Sequence, residues 1–403
     1  MILNRPRHLA LASLALAAFL TACGGGGADT APRAPISSIK VMGDSLADVG
    51  TFGYKFTVQG NDIFPERIAQ SYGLGKGCNF FATTKDANGN VTGFAPNTAT
   101  GCTNYAVGAS VINATADGLT AADPRSLAVQ IGAATAAGNF GANDLLIMDG
   151  GGNDASTLVG AYLAASKDSG AAYAQVLGTV LTPEQVAAAA ANNGAGFPAA
   201  GATYMSGLAD KFYTMIKTGA LDKGAQRIVL LNMPGITNTP RFQLVLDSIA
   251  SATAAAAKGQ GASEEAAAAA GASARANSET LFKSWVSAFN TQLASKFAGD
   301  SRVAVVDFYT EFNNQVANPS QFGLSNVKTP ACPVTGVGSD GLPKYDFPNC
   351  TDASLAAKPP SGVSGGANWY KTYAFSDGFH PTPYGHQLLA QLISRTLAQA
   401  GWL

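Results

Sequence analysis

Once the N-terminal leader is set aside, two histidines remain, and both stand in the stretch FSDGFHPTPYGHQLL at positions 375–389. His386 falls one turn inside the pattern of the last helix and reads as a packed or solvated helix residue. His380 precedes that helix in a loop, three residues after Asp377. An imidazole that serves as base in acyl transfer must reach its nucleophile, and a carboxylate on its Nδ1–H must fix tautomer and orientation. Asp377 and His380, on adjacent turns of one loop, can meet both conditions. The matching nucleophile is Ser45 in KVMGDSLADVG (40–50), where a serine follows an apolar run. The same letters spell a capping box, S-x-x-[DE], ending at Asp48. The two readings are compatible, because one turn can start a helix and aim the Ser45 side chain at solvent. Asp48 is then the helix-terminus residue, and the helix N-terminus favours negative charge developing at the serine.

Two further segments carry weaker signals. NYAVGAS (104–110) puts Gly108 where backbone can approach a reacting centre closely. MDGGGND (148–154) closes an apolar run with three glycines and then Asn153, whose side-chain amide can donate to an oxyanion. Each alone reads equally well as an ordinary turn. Together, and in this order, GDSLADVG, NYAVGAS, GGND and DGFHP resemble the blocks of the SGNH/GDSL hydrolase family, over residues 41 to 385.

The resemblance implies a flavodoxin-like three-layer α/β/α sandwich and a serine carboxylic ester hydrolase, an esterase or lipase working through an acyl-enzyme. Carried onto this chain, it makes Ser45 the nucleophile, His380 the base and Asp377 its orienting carboxylate. The oxyanion hole then comprises the backbone N–H groups of Ser45 and Gly108 and the side chain of Asn153. Ala109 departs from the pattern, which has a second Gly there, and this leaves open which N–H faces the site. The substrate is not specified: short-chain esters, longer acyl lipids, phospholipids and acetylated glycans remain open. Acyl transfer to another alcohol, or a non-catalytic surface lipoprotein on the same scaffold, is the alternative.

The elements that must position these residues follow from hydrophobic patterning. ISSIKVM (36–42), DLLIMD (144–149), RIVLLN (227–232) and RVAVVDF (302–308) are short apolar runs bounded by turn residues, as buried strands are. Helical patterns lie between them, at 205–219 and at 279–297, where Leu281, Trp285, Phe289, Leu293 and Phe297 recur every fourth residue. A last helix at 383–400 starts behind Thr382-Pro383, an N-cap and first-turn pair. Strands alternating with helices predict an α/β fold with a central parallel sheet covered on both faces. The spacings exceed those of a minimal sandwich, so one domain (36–403) carries insertions at about 78–102, 155–204, 245–298 and 310–376. The first holds Asn88-Gly89, a type I′ hairpin signal; its resemblance to a calcium loop fails for lack of the required Gly and Glu. The second is Ala-rich and reads as helical. The low-complexity stretch 250–278 fits a helical hairpin, a mobile lid or a partly disordered segment.

The ends speak for export. Arg5 and Arg7 precede the apolar run 9–20, which has signal-peptide length and is short for a membrane span. LTAC (20–23) resembles a bacterial lipobox, so residues 1–22 are expected to be removed and Cys23 to carry lipid. Residues 24–35 form a flexible tether, and Gly24 in place of Asp favours the outer membrane or cell surface; simple secretion or periplasmic release is the alternative. Of five Cys, four remain beyond Cys23, and their clustering predicts bridges Cys78–Cys102 and Cys332–Cys350. Charged residues make up 13% of the chain and the formal net charge is −1. That excludes a basic footprint for nucleic acid. No metal and no cofactor is expected: two His and four paired Cys leave no zinc set, and GLGKG (73–77) lacks phosphate-loop spacing. The expected partners are an ester substrate and, through the lipid, a membrane; the oligomeric state is not encoded in any feature of the sequence.

Overall fold

The four apolar runs pair into one parallel sheet in the computed structural model, which describes residues 35–136, 138–338 and 340–403. The leader, Cys23 and the tether lie outside the described residues. In chain order the strands are β1 (Ser38–Met42), β2 (Phe81–Lys85), β3 (Val91–Pro96), β4 (Asp144–Met148), β5 (Ile228–Leu231), β6 (Val303–Val306), β7 (Val334–Val337) and β8 (Pro343–Tyr345). The central sheet has the order β1-β4-β5-β6, and every neighbouring pair is parallel. A fifth, rudimentary edge runs beside β1. Val41 N–H donates to Thr103 O at 3.0 Å, Tyr105 N–H to Val41 O at 2.7 Å and Val107 N–H to Gly43 O at 3.2 Å. This edge delivers the NYAVGAS segment alongside Ser45.

The helices are α1 (Phe64–Ser71), α2 (Leu127–Ala136), α3 (Gly152–Asp168), α4 (Ala171–Leu177), α5 (Pro183–Gly194), α6 (Phe197–Gly219), α7 (Pro240–Gly259), α8 (Glu264–Phe297), α9 (Phe308–Ala317), α10 (Asp352–Ala356) and α11 (Pro383–Gln399). Successive strand residues point to opposite faces, and here both faces are apolar. Leu146, Met148, Ile228 and Leu230 pack against α2, α3, α6 and α8 through Ile131, Leu158, Phe212 and Phe289. Leu145, Ile147, Val229 and Leu231 pack against α1, α9 and α11 through Phe64, Phe312 and Ile393. The three-layer α/β/α sandwich follows, since a parallel sheet must be covered twice. Residues Ile36–Leu403 form one compact unit, so the long spacings are insertions into one body.

The low-complexity stretch forms the turn of a helical hairpin. α7 ends at Gly259, Ser263 caps α8 by accepting from Ala266 N–H at 3.2 Å, and α8 continues through the expected Trp285 stripe to Phe297. The stripe residues Trp285, Phe289, Leu293 and Phe297 are buried. Both expected disulfides are present. Among the described residues no helix is long and apolar enough to cross a membrane.

Two local expectations are corrected. No helix follows Ser45; the chain turns there, and the first helix begins at Phe64. The Asp44 carboxylate accepts from Leu46 N–H at 2.9 Å, and Asp48 accepts from Gly50 and Thr51 N–H at 2.8 Å each. These side-chain acceptors compete with helical backbone pairing, and Gly50 at φ +140° breaks any continuation. In the β2–β3 hairpin only Gly89 has positive φ (82°), whereas type I′ needs two such residues. Asp86 organises the turn instead, accepting from Asn88 N–H at 2.9 Å and Asn90 N–H at 2.8 Å.

Candidate active site

Every segment singled out for chemistry emerges at the carboxyl ends of the parallel strands, where ligands bind in open α/β sheets. β1 runs into Gly43-Asp44-Ser45, and β4 into Asp149 and the glycines before Asn153. Gly43 is clamped by the buried Gln130, which accepts from Gly43 N–H at 2.8 Å and donates to Gly43 O at 3.1 Å. A Cβ at Gly43 would lie 2.5 Å from an Asp149 carboxylate oxygen, so the turn that carries Ser45 packs directly against the end of β4.

His380 comes 335 positions later in sequence and meets Ser45 in space: Nε2 lies 2.7 Å from Ser45 Oγ. Its Nδ1 is 2.9 Å from both Asp377 carboxylate oxygens. Asp377 also accepts backbone N–H from Phe379 at 2.9 Å and His380 at 2.6 Å, which fixes the carboxylate before it touches the ring. The loop is pinched at its base, where Ser376 N–H donates to His380 O at 2.7 Å. Phe56 and Phe347 wall the imidazole, with ring centroids 5.0 and 5.8 Å away. Burial alone would push His380 down and Asp377 up. The mutual charge and hydrogen bond outweigh it, so His380 stands above the ordinary histidine value and Asp377 below the ordinary carboxylate value. His386 is elsewhere. It is buried, accepts from Phe64 N–H through Nδ1 at 3.4 Å, and is held far below the usual value by burial first and nearby cationic groups second.

The expected donors divide. Ser45 N–H has no protein partner among the described residues. Asn153 lines the same cleft as Ser45, with Nδ2 2.9 Å from Ser110 O and 3.5 Å from Asp44 Oδ2. Gly108 is different: its N–H is taken by Asp48 Oδ2 at 2.9 Å in a buried contact. The neighbouring Ala109, in the left-handed region at φ 63°, has an N–H without a protein partner among the described residues and lines the cleft. The helix end that reaches the site is that of α3, beginning at Gly152, and its positive pole takes the part expected of a helix after Ser45.

Sequence reading missed several supporting groups. Asp154 ties α3 to the NYAVGAS segment by accepting from Ile112 N–H at 3.0 Å and Asn113 N–H at 2.8 Å, and burial raises its pKa to about 7. Asp44 and Asp149 form an acidic pair behind Ser45, with Asp44 N–H donating to Asp149 Oδ1 at 3.0 Å. Burial first, and the Asp44 charge second, raise Asp149 well above the carboxylate range; its Oδ2 has no hydrogen-bond partner among the described residues. Burial also raises Asp44, against the pull of Leu46 N–H and His380. Both aspartates adjoin motif residues at strand ends, a signal that was legible. Gln130 and Phe56 carry no such mark, because only the fold brings them to the site.

The arrangement can polarise the Ser45 hydroxyl, hold an imidazolium and receive an oxyanion. Ser45 opens into a cavity of about 1060 Å³, roomy by the standard of small-molecule sites. Among the described residues no group of three or more His, Cys, Asp or Glu is placed to hold a metal ion. A comparison with curated proteins found no match to the chain. The family model described as GDSL-like Lipase/Acylhydrolase matches residues 39–393, nearly the whole described chain. The protein belongs to the GDSL-like lipase/acylhydrolase family.

Proposed function

We propose that the protein is a serine carboxylic ester hydrolase, with Ser45, His380 and Asp377 as its catalytic triad. The observation that carries this reading is the continuous chain from Ser45 Oγ through His380 Nε2 at 2.7 Å and Nδ1 to Asp377 at 2.9 Å. Ser45 Oγ attacks the ester carbonyl carbon while its proton passes to His380 Nε2, and the carbonyl π pair moves onto oxygen. The oxyanion is received by the N–H groups of Ser45 and Ala109 and by Asn153 Nδ2, in place of the Gly108 donor that Asp48 occupies. Collapse expels the alcohol, which takes the proton from Nε2, and leaves an acyl-Ser45. Water attacks in turn with His380 as base and releases the acid. Asp377 stays ionised throughout and stabilises the imidazolium.

A fluorophosphonate probe tests this. Intact mass should show one adduct on the native protein and none on Ser45→Ala; equal labelling of both would remove Ser45 from the role. The N-terminal reading belongs to the same proposal: Cys23 carries a lipid that holds the hydrolase at the outer membrane or cell surface. Metabolic labelling with an alkynyl fatty acid should mark the wild type and not Cys23→Ala.

A further inference from the structure

The cavity at Ser45 is longer than ester chemistry requires. One wall is a face of α3 on which Ser156, Gly160 and Ala164 follow Asn153 at helical spacing, ending at Lys167. The opposite wall is a face of α7, running from Phe242 through Val245 and Ile249 to Ala252. From Asn153 to Lys167 the helix rises about 21 Å at 1.5 Å per residue. Between those two residues neither wall contributes an ionisable side chain to the cavity; the charged Arg241 and Asp340 stand at the other end, beside Phe379.

Gly160 has no structural reason to be glycine. It lies inside α3, its φ is not in the left-handed region, and a Cβ built on it meets no atom within 4 Å. A helix interior disfavours glycine, so the residue weakens α3 and leaves open space in the trough. Ala164 and Ala252 keep the trough open further along.

Building on the esterase reading above, we infer that this trough is the acyl subsite and selects long, unbranched acyl chains. The orientation follows from the mechanism. His380 must deliver its proton to the leaving alcohol, so the alcohol lies on the side of His380, Phe379 and Arg241. The acyl chain then leaves the carbonyl on the side of Asn153, along α3. An extended chain advances about 1.2 Å per bond, from the ~3.5 Å that three backbone bonds span. A trough of about 21 Å at about 1.2 Å per bond therefore holds roughly 17 bonds, and its apolar walls stabilise each methylene they cover. Gly160, about 10 Å along at 1.5 Å per residue, keeps the trough open to chains that reach past it.

The test uses p-nitrophenyl esters from butyrate to palmitate, which keep the leaving group constant. Wild type should favour C12–C16 over C4 in kcat/KM by at least tenfold. Gly160→Phe and Ala252→Phe, both at exposed positions, should cut the C14-to-C4 ratio at least tenfold. Ser166→Phe, exposed on α3 but outside the cavity, should leave the ratio unchanged. An unaltered ratio in both trough variants with native thermal melts would overturn the inference, as would a wild-type preference for butyrate. So would chain-length selectivity that follows the alcohol of alkyl acetates instead. A second readout does not depend on turnover: Ser45→Ala should bind a fluorescent 18-carbon fatty acid, and adding Gly160→Phe should weaken it at least tenfold. Wild type inert towards every ester would sink the esterase reading, and the binding result would still decide the trough.

Discussion

Gly108 donates its backbone N–H to the Asp48 carboxylate at 2.9 Å, joining the serine-bearing turn to the strip beside β1. Asp48 thus cross-links two segments of the site, and Ala109 is left with the open N–H. In the proposed mechanism Ala109 therefore takes the donor position that the motif assigns to Gly108.

Removing donors should separate these roles. Asn153→Ala should lower kcat about 10²–10³-fold with little change in KM, as loss of one oxyanion donor does. Asp48→Ala should instead act on stability, by about 3 kcal/mol or more, because three backbone donors lose a charged acceptor. Ala109→Gly should keep activity and raise stability by about 1 kcal/mol, since φ 63° strains a residue with Cβ. Steady-state kinetics with denaturant melts on the three variants would check the division.

The pH profile should carry the mark of Asp377. His380 acts as base only when neutral, and its pKa lies above the ordinary 6.5. The acid limb of kcat/KM should therefore fall above that value. Asp377→Asn removes the charge that raises it, so the limb should move to lower pH while the plateau drops by about 10⁴. A limb that stays in place would mean that another group titrates.

Asp149 should make stability depend on pH in the opposite sense to a salt-bridged acid. Its folded pKa lies well above its unfolded value, so between the two the native state holds the extra proton. Stability then falls as pH rises from about 4 towards the folded pKa. Asp149→Asn removes that dependence. Calorimetry should show its Tm advantage over wild type widening as pH rises above about 4 towards the folded pKa; a constant gap would show that Asp149 does not keep its proton.

The Cys332–Cys350 bridge should matter to both fold and rate. Its loop closure is worth about 3 kcal/mol in the chain-entropy treatment. Cys332 N–H also donates to Ser376 O at 2.8 Å, one residue before Asp377, and Gln59 N–H to Cys350 O at 2.8 Å. Cys332→Ser with Cys350→Ser should lose about that stability and several-fold in kcat at temperatures where the fold persists. Full kcat at those temperatures would show that the Asp377 loop does not lean on the bridge.

Much of this was readable in one dimension. The sheet strands are short apolar runs because both faces are buried, and that composition survives any arrangement of the layers. Asp377 and His380 meet within one tight loop, so their pairing is local and spacing reveals it. Both bridges close short loops and were legible for the same reason. Asp48 was misread because a capping box and a cross-link use the same letters, and the distinction lies 60 positions away at Gly108.

By itself, then, the sequence determined the two-faced parallel sheet, the local Asp377–His380 unit and the residue types that gather at the strand ends. Tertiary structure decided what depends on contacts between distant segments. It brought His380 to Ser45, committed the Gly108 N–H to Asp48, set the α3 terminus in place of the expected helix, and opened a trough between α3 and α7. The physical reason is range: side-chain periodicity and loop closure act over a few residues, whereas donor assignment and cavity shape arise only when separate layers pack.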